Sequence, residues 1–370
     1  MELARLPLRR IALRLAEGID SPLLVLLLSL SMIGLAALFS ASYDTPARVA
    51  NQAGNLVLAL IAMWLVAQVP PQTMMRFAVP SYVIGLALLV AVALFGDVVN
   101  GARRWLHIGV TRFQPSEMMK LALPLMLAWY FHKHEATLRL RDFAIAALLL
   151  VVPLALIARE PDLGTAALVG AAGFYVIFFA GLSWQVLGTL AALVIAALPL
   201  GWHFLHGYQR KRLLTLLDPT QDPLGAGYHI IQSTIAVGSG GLSGKGWLNG
   251  TQAHLEFIPE RHTDFIFAVF SEEFGLMGNV VLLVLYSLLI ARGLMIAANA
   301  PTIFTRLLAG AIALMYFTYA FVNMGMVSGI LPVVGVPLPF LSYGGTALLT
   351  LFIGAGILMS VHRHRKLVQT

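Results

Sequence analysis

Long apolar segments recur along almost the whole chain, separated by short polar connections. Ten of them are long enough to cross a bilayer, since a membrane-spanning helix needs about 20 predominantly apolar residues. The pattern predicts an all-α polytopic membrane protein with a single domain over residues 1–370. The predicted spans are 22–42, 54–70, 78–97, 114–132, 142–158, 163–181, 184–205, 264–293, 304–328 and 343–361.

The composition agrees with a membrane protein and excludes several other classes. Hydrophobic residues make up 59% of the chain and charged residues 11%, against about 25% charged residues in a soluble domain. The absence of cysteine excludes a disulfide framework and a thiolate metal site. The net charge of +7 lies mostly beside the predicted spans, as membrane topology requires, so we predict no nucleic-acid partner.

The basic residues also predict the orientation. An even number of spans places both termini on one side, and the basic clusters at 5–14, 133–141, 292, 306 and 362–366 fall on that side. Because positive residues concentrate in cytoplasmic loops, the segments 1–21 and 362–370 are predicted to be cytoplasmic and the long segment 206–263 to lie outside. The first apolar run is too long for a signal-peptide core, so it is interpreted as an uncleaved span.

The predicted outer segment 206–263 is the only long stretch without membrane character, and it is a candidate for the functional site. It carries basic residues around Arg210 and a glycine run at 238–246. The run is not a phosphate-binding P-loop, because Ser239 and Gly246 occupy positions where that motif requires glycine and Ser or Thr. It is either a flexible loop that approaches a substrate or partner, or a tight-turn linker.

Several cations on the predicted outer face break the topological rule. They are Arg48, Arg103, Arg104, Arg112 and Arg159. Positive charge kept outside against the bias indicates an anionic partner there, such as a phosphorylated substrate. The alternative is simple pairing of these arginines with Asp44, Glu160 or anionic lipid.

The fourth predicted span opens with charged residues. Gln114 and Pro115 begin it, and Glu117 and Lys120 are three residues apart, so their side chains share one helix face and can pair. Charges inside a span are costly unless they face a cavity or each other. The pair therefore either lines a substrate cavity or neutralises itself between helices.

Asp264 begins the eighth predicted span, and Glu272 follows eight residues later on nearly the same side. The apolar stretch that follows Asp264 is about 30 residues, roughly 45 Å as a helix, which is longer than the hydrocarbon thickness. Its first turns are therefore predicted to line a polar cavity that opens outward. The alternative is that Asp264, or Thr263, only caps the helix.

Residues 329–346 contain three prolines and four glycines, so they cannot continue a helix. Non-helical backbone at membrane depth is tolerated only when it is buried in protein or faces a wet cavity. The segment is either part of a site or a re-entrant packing element.

The chain carries five motifs that together resemble one family: residues 323–347, 112–120, 161–165, 225–232 and 260–267. The resemblance covers nearly the whole chain and is to the SEDS family of bacterial cell-wall proteins. The motifs are more similar to its elongation branch than to its division branch. One departure is Glu160, where the family pattern has glutamine.

The resemblance implies a ten-span peptidoglycan glycosyltransferase in the inner membrane, surrounded by membrane lipids. Such enzymes polymerise lipid II on the outer face together with a class B penicillin-binding protein, during lateral wall elongation and rod-shape maintenance. By resemblance, Asp264 is the general base for an inverting attack of the acceptor 4-hydroxyl, and undecaprenyl diphosphate leaves. The residues expected to bind substrate are Arg48, Gln114, Glu117, Lys120, Asp162 and Arg210.

The need for a metal stays open at this point. No cluster of ligand residues demands one, and no other cofactor is expected. A divalent cation, magnesium or manganese, that bridges Asp264 and the diphosphate would nevertheless fit the chemistry.

Two other functions would use similar residues. A transporter that flips lipid II needs a polar route to the cytoplasm, but the charges cluster at the outer ends of the spans and the sixth and seventh spans are almost free of polar side chains. A scaffolding subunit does not explain why a Glu–Lys pair and an aspartate converge on a basic outer segment. The polymerase is therefore the preferred interpretation, with the transporter second.

Overall fold

A computed structural model describes residues 18–99, 102–108, 111–160, 162–204, 207–222, 225–255, 257–258 and 260–365. The predictions for the basic N-terminus up to residue 17, for Pro161 and for residues 366–370 lie outside the described residues. The helices are α1 Ser21–Ala41, α2 Pro46–Gln68, α3 Pro71–Arg76, α4 Ala78–Phe95, α5 Pro115–Lys133, α6 Leu140–Arg159, α7 Leu163–Phe179, α8 Trp184–Phe204, α9 Gly207–Leu217, α10 Ala226–Ser239, α11 Thr251–His254, α12 Ile266–Ala298, α13 Ile303–Val327 and α14 Gly345–Arg363. The strands are β1 Asp97–Val99, β2 Ala102–Ile108 and β3 Thr111–Phe113.

Each of the ten predicted spans coincides with a helix, and the fold is predominantly helical. Among the described residues, seven helices are long and apolar enough to cross a membrane, and α7 and α8 contain shorter apolar stretches. Ten crossings therefore remain a prediction. The largest boundary error is in α2, which begins at Pro46 instead of residue 54 because Arg48, Asn51 and Asn55 interrupt the apolar pattern without ending the helix.

The connection between α4 and α5 contains strands that the sequence pattern did not predict. Three short antiparallel strands pair Asp97 with Trp105 and Leu106 with Phe113. The strands are too short to show a clear alternation of polar and apolar residues. This small sheet carries Arg104 to the turn between α6 and α7, where it contacts the backbone of Glu160.

The segment 206–263 is not a single long loop, because it contains the helices α9, α10 and α11. Helix α10 packs on α12 and buries Ile230 and Ala236. Ser233 Oγ also donates a hydrogen bond to the carbonyl oxygen of Val327 at the end of α13. The side of the membrane on which the segment 206–263 lies remains a prediction.

Helix α12 is broken at Gly275, whose φ of 62° lies in the left-handed region. The glycine run at 238–246 lies against this break and supplies the hydrogen bonds that a continuous helix would make. The amides of Leu276 and Met277 donate to the carbonyl oxygens of Gly241 and Leu242. In return, the amides of Lys245 and Gly246 donate to the carbonyl oxygens of Glu272 and Glu273, so the run is neither a flexible loop nor a simple linker.

The two buried carboxylates of α12 hold the same segment. Glu272 accepts hydrogen bonds from Lys245 Nζ at 2.6 Å and from the amides of Thr251 and Gln252. Glu273 accepts one from the amide of Leu248 at 3.2 Å. The prediction that Glu272 lines an open cavity is therefore wrong, because the segment 245–252 covers it completely.

At the opposite end of the bundle, Asp20 joins three helices. Its carboxylate accepts the amide hydrogen bond of Leu23 and so caps α1. It also pairs with Arg292 of α12, and it lies 3.4 Å from His362 Nε2 of α14. Helices α1 and α14 are therefore connected through one buried carboxylate.

The junction between the glycine run and the α12 break predicts a difference between two glycine variants. Gly241 and Gly244 both have positive φ values, but a Cβ at Gly241 meets nothing, whereas a Cβ at Gly244 would lie 2.1 Å from the carbonyl oxygen of Glu273. Gly241→Ala should cost about 1–2 kcal/mol of backbone strain. Gly244→Ala should cost at least about 2 kcal/mol more, because hydrogen bonds of the junction are lost as well.

Thermal unfolding of both variants in detergent tests this prediction, with Gly241→Ala as the matched control for the backbone conformation. Equal melting temperatures for the two variants would contradict the proposed role of the junction.

Candidate functional site

Two elements, α13 and the non-helical segment 328–344, hold the turn that carries Asp264. Asn323 of α13 donates from Nδ2 to the carbonyl oxygen of Asp264 at 2.8 Å and to that of Val336 at 2.7 Å. Ser342 Oγ donates to the carbonyl oxygen of Thr263 at 2.6 Å. The segment 328–344 is non-helical, as predicted, and it packs directly against this turn.

Asp264 is not a helix cap. Helix α12 begins at Ile266 with Phe265 at the N-cap position, and no side chain accepts a hydrogen bond from its first turn. Thr263 Oγ1 donates to Glu260 instead. The capping alternative is wrong, and the Asp264 carboxylate is left to another role.

The carboxylate of Asp264 lies over Gly335. A Cβ at position 335 would be 3.3 Å from Asp264 Oδ2, and the φ of Gly335 is +72°. Burial, together with the negative charges of Glu260 and Asp162, raises the pKa of Asp264 to about 6. A carboxylate with such a pKa is mostly ionised at neutral pH and is still basic enough to accept a proton efficiently.

Asp162 and Gln114 are close together, although they are far apart in sequence. Asp162 caps α7 by accepting the amide hydrogen bond of Thr165 at 3.0 Å. Its other oxygen accepts from Gln114 Nε2 at 3.2 Å and lies 3.8 Å from Arg104 Nε. Because Asp162 also raises the pKa of Asp264, these groups border one polar region.

Glu117 and Lys120 form the predicted pair, and Tyr319 of α13 completes it. Lys120 Nζ lies 2.5 Å from Glu117 Oε1 and also donates to the Tyr319 hydroxyl. Lys120 is only 1% exposed, so its charge acts from inside the protein. Tyr319 was missed because a tyrosine in an apolar span gives no signal that distinguishes it from a core residue.

Glu117 also lines an apolar groove of about 410 Å³ between α4, α5 and α14. Side chains of α5 and α14 form most of its wall, among them Met118, Leu121, Leu125 and Ile353. Glu117 Oε2 is buried and has no hydrogen-bond partner within the described residues. The groove is therefore an apolar cavity with one carboxylate in its wall.

The two remaining predicted residues, Arg48 and Arg210, lie in different helices. Arg48 is in the first turn of α2 and is near His262, whose pKa is lowered first by burial and then by the positive charge of Arg48. His262 is two residues from Asp264, so Arg48 lies close to the site. Arg210 is in the first turn of α9, and its role stays a prediction.

The described residues contain no group of three histidine or acidic side chains that could hold a metal ion.

Glu160 departs from the expected glutamine and is an unusual carboxyl group. It is 2% exposed, and neither of its oxygens has a hydrogen-bond partner within the described part of the chain. Arg104 donates to its backbone carbonyl oxygen at 3.3 Å and pairs with Asp162 instead of the Glu160 carboxylate. Burial raises the pKa of Glu160 to about 8, Asp162 acts in the same direction, and Arg104 opposes them.

Known proteins are similar to this chain over almost its whole length. A family model described as "Cell cycle protein", for FtsW, RodA and SpoVE, matches residues 21–367. The chain is 52% identical to the peptidoglycan glycosyltransferase MrdB of Escherichia coli K12, over 95% of each chain.

Two solved structures are also similar. One is described as "Structural coordination of polymerization and crosslinking by a peptidoglycan synthase complex"; it is 35% identical, with a TM-score of 0.82 over 94% of this chain and 98% of that one. The other is the rod shape determining protein RodA of Thermus thermophilus; it is 32% identical, with a TM-score of 0.71 over 94% of this chain and 97% of that one.

The buried carboxyl of Glu160 predicts a pH-dependent stability difference. Between its ordinary pKa of 4.5 and its value of about 8 in the fold, the folded protein holds a proton that the unfolded chain has released. Stability of the wild type therefore falls as pH rises through this window. Glu160→Gln cannot titrate, so its stability relative to the wild type should rise with pH by at most about 1.4 kcal/mol per pH unit.

Melting temperatures measured from pH 5.5 to 8.5 test this prediction. The exposed Glu135→Gln variant is the control for the removal of one negative charge. A constant difference between Glu160→Gln and the wild type across the range would show that the carboxyl does not titrate in this window.

Proposed function

The chain belongs to the FtsW, RodA and SpoVE family of cell cycle proteins, and from that premise we propose that it is a peptidoglycan glycosyltransferase. It polymerises lipid II into glycan strands during lateral wall elongation. The 52% identity to a peptidoglycan glycosyltransferase over almost the whole chain supports the activity. The observation that supports the mechanism is the carboxylate of Asp264, which does not cap the helix and has a raised pKa. Asn323 and Ser342 hold the turn that carries it.

Asp264 acts as the general base. The acceptor 4-hydroxyl must lose its proton as its oxygen attacks the anomeric carbon of the donor sugar, and Asp264 takes that proton. The bond from the anomeric carbon to undecaprenyl diphosphate breaks on the opposite face, so the configuration inverts. One base is sufficient for such an inversion, and no covalent intermediate is needed.

The leaving diphosphate requires charge stabilisation. Arg48 and Arg210 supply cations at this end of the protein, and charge-assisted hydrogen bonds to phosphate oxygens are among the stronger polar contacts in proteins. Lys120 contributes its charge from a buried position, orients Glu117 at the groove wall and donates a hydrogen bond to the buried Tyr319. Gln114 and Asp162 shape the polar region next to the base.

The apolar groove beside Glu117 suits the lipid part of the substrate. Its volume of about 410 Å³ and its wall of leucine, methionine and isoleucine side chains match a polyprenyl chain, whose apolar surface makes van der Waals contacts with such a wall. The polar region around Asp162 lies at the Glu117 end. A lipid-linked sugar diphosphate would therefore place its chain in the groove and its head near Asp264.

We also propose the membrane arrangement and the partner. The protein crosses the inner membrane ten times with both termini in the cytoplasm, and Asp264 lies on the outer face. A class B penicillin-binding protein cross-links the glycan, which the similarity to a peptidoglycan synthase complex supports. A divalent cation, if the reaction uses one, would be held by Asp264 together with the diphosphate oxygens, since the described residues offer no protein cluster for it.

Asp264→Asn tests the role of the base. Asparagine keeps the size and the polarity of the side chain but cannot accept the proton, so polymerisation of lipid II by the purified protein with its penicillin-binding partner should fall at least about 100-fold. The melting temperature and partner binding should be unchanged and serve as controls. Wild-type activity in this variant, or lipid II translocation by the wild type without polymerisation, would contradict the proposal.

The pKa of Asp264 predicts the pH dependence of the same reaction. The base must be ionised to act, so the rate should fall as pH decreases through about 6, by up to tenfold per pH unit below that value. Initial rates of polymerisation at saturating lipid II between pH 5 and 8 measure this limb. A rate that is flat down to pH 5 would exclude Asp264 as the titrating group.

A further inference from the structure

An open groove of about 670 Å³ lies on α2 above Gly54, and we call it the Gly54 groove. Two amide side chains, one phenol and two aliphatic side chains line it: Asn51, Asn55, Tyr343, Val57 and Leu58. Asn51 and Asn55 follow Arg48 by three and seven residues, so all three lie on one helix face. The face therefore changes along the helix from a cation through two amides to aliphatic residues.

The Gly54 groove lies next to the turn that carries Asp264. The Asn55 side chain is 3.1 Å from the place where a Cβ on Gly345 would be, at the start of α14. Tyr343 donates its amide hydrogen bond to the carbonyl oxygen of His262, and the two rings meet edge to face at 6.1 Å. One wall residue, Tyr343, is thus in direct contact with His262, which is two residues from Asp264 in the chain.

The amide side chains of this groove are unusual because they lie on a helix that is long and apolar enough to cross the membrane. Asn51 is exposed near the start of this helix. Polar side chains that face lipid are costly, so an exposed Asn51 with a half-buried Asn55 one turn further on is typical of a surface that binds a polar ligand.

The kind of polar group identifies the ligand. A carboxamide has both donors and an acceptor, and a phenol donates and accepts as well. A sugar hydroxyl also does both, whereas a diphosphate only accepts and is bound mainly by cations. Within the described residues the groove wall contains no cation, so its chemistry fits a sugar better than a phosphate.

We propose that the Gly54 groove is a carbohydrate subsite, in which Asn51, Asn55 and Tyr343 bind a sugar residue of the glycan substrate beside Asp264. The subsite rests on the proposed function, because that function supplies the sugar. The sugar comes either from incoming lipid II or from the growing strand.

Gly54→Leu tests the subsite without touching the base. A Cβ at Gly54 meets nothing within 4 Å, and leucine is the better helix former, so the fold should be kept while the groove is filled. Gly188→Leu in α8 is the matched control, since its Cβ also meets nothing within 4 Å. The measurement is binding of a lipid-free tetrasaccharide fragment of peptidoglycan to the full-length protein in nanodiscs.

Gly54→Leu and Asn55→Ala should each weaken tetrasaccharide binding at least tenfold, and Gly188→Leu should change it less than twofold. Tetrasaccharide binding that Gly54→Leu leaves unchanged would overturn the subsite, as would no binding by the wild type. If Gly54→Leu weakens the binding of a sugar-free polyprenyl diphosphate but not that of the tetrasaccharide, the subsite is also overturned and the groove is a lipid site instead.

Two further measurements are needed. One identifies the source of the sugar, and the other tests the subsite independently of the proposed catalytic function. In polymerisation assays, a higher KM for lipid II in Gly54→Leu assigns the sugar to incoming substrate, and shorter glycan at unchanged KM assigns it to the growing strand; both support the subsite. Asp264→Asn should bind the tetrasaccharide like the wild type. If Asp264→Asn remains active while Gly54→Leu still loses binding, the base assignment fails and the subsite stands.

Discussion

The break of α12 at Gly275 is the constraint on which the site depends. A helix that bends at membrane depth leaves backbone amides and carbonyls without partners, and each unsatisfied group costs several kcal/mol in hydrocarbon. The glycine run satisfies them from the side, and Glu272 and Glu273 hold the same segment through their side chains. The first turns of α12 are therefore rigid, and Asp264 stands just before them in a fixed position.

Helix α13 supplies the second fixed reference. It is buried along most of its length, and Tyr319 and Asn323 lie about one turn apart on it. Tyr319 accepts a hydrogen bond from Lys120 of α5, while Asn323 holds the backbone of Asp264 and of Val336. One central helix thus sets the distance between the buried Glu–Lys pair and the base, and neither group has to be placed by a mobile segment.

The sequence predicted much of the fold because the bilayer imposes its own length on apolar segments. The positions of the helices, the non-helical segment before α14 and the Glu117–Lys120 pair followed from hydrophobic pattern, proline content and charge inside a span. The role of Asp264 as the base was expected from the family resemblance and stays a prediction. The strands at 97–113 and the helices within 206–263 did not, because short amphipathic elements carry weak periodicity. Asn323 marked the start of a motif, but its contact with Asp264, like that of Tyr319 with Lys120, depends on tertiary packing that no local pattern records.

The buried Asp20 has a consequence for the order in which the molecule assembles. Its partners Arg292 and His362 come from α12 and α14, so the residue that begins the first helix finds its last partner near the end of the chain. Helix α2 likewise packs most extensively against α14. During synthesis the first two helices enter the membrane long before those partners exist. Until α12 is inserted Asp20 has neither partner, and a chain that stops short of α14 keeps Arg292 but lacks His362 and the main packing surface of α2.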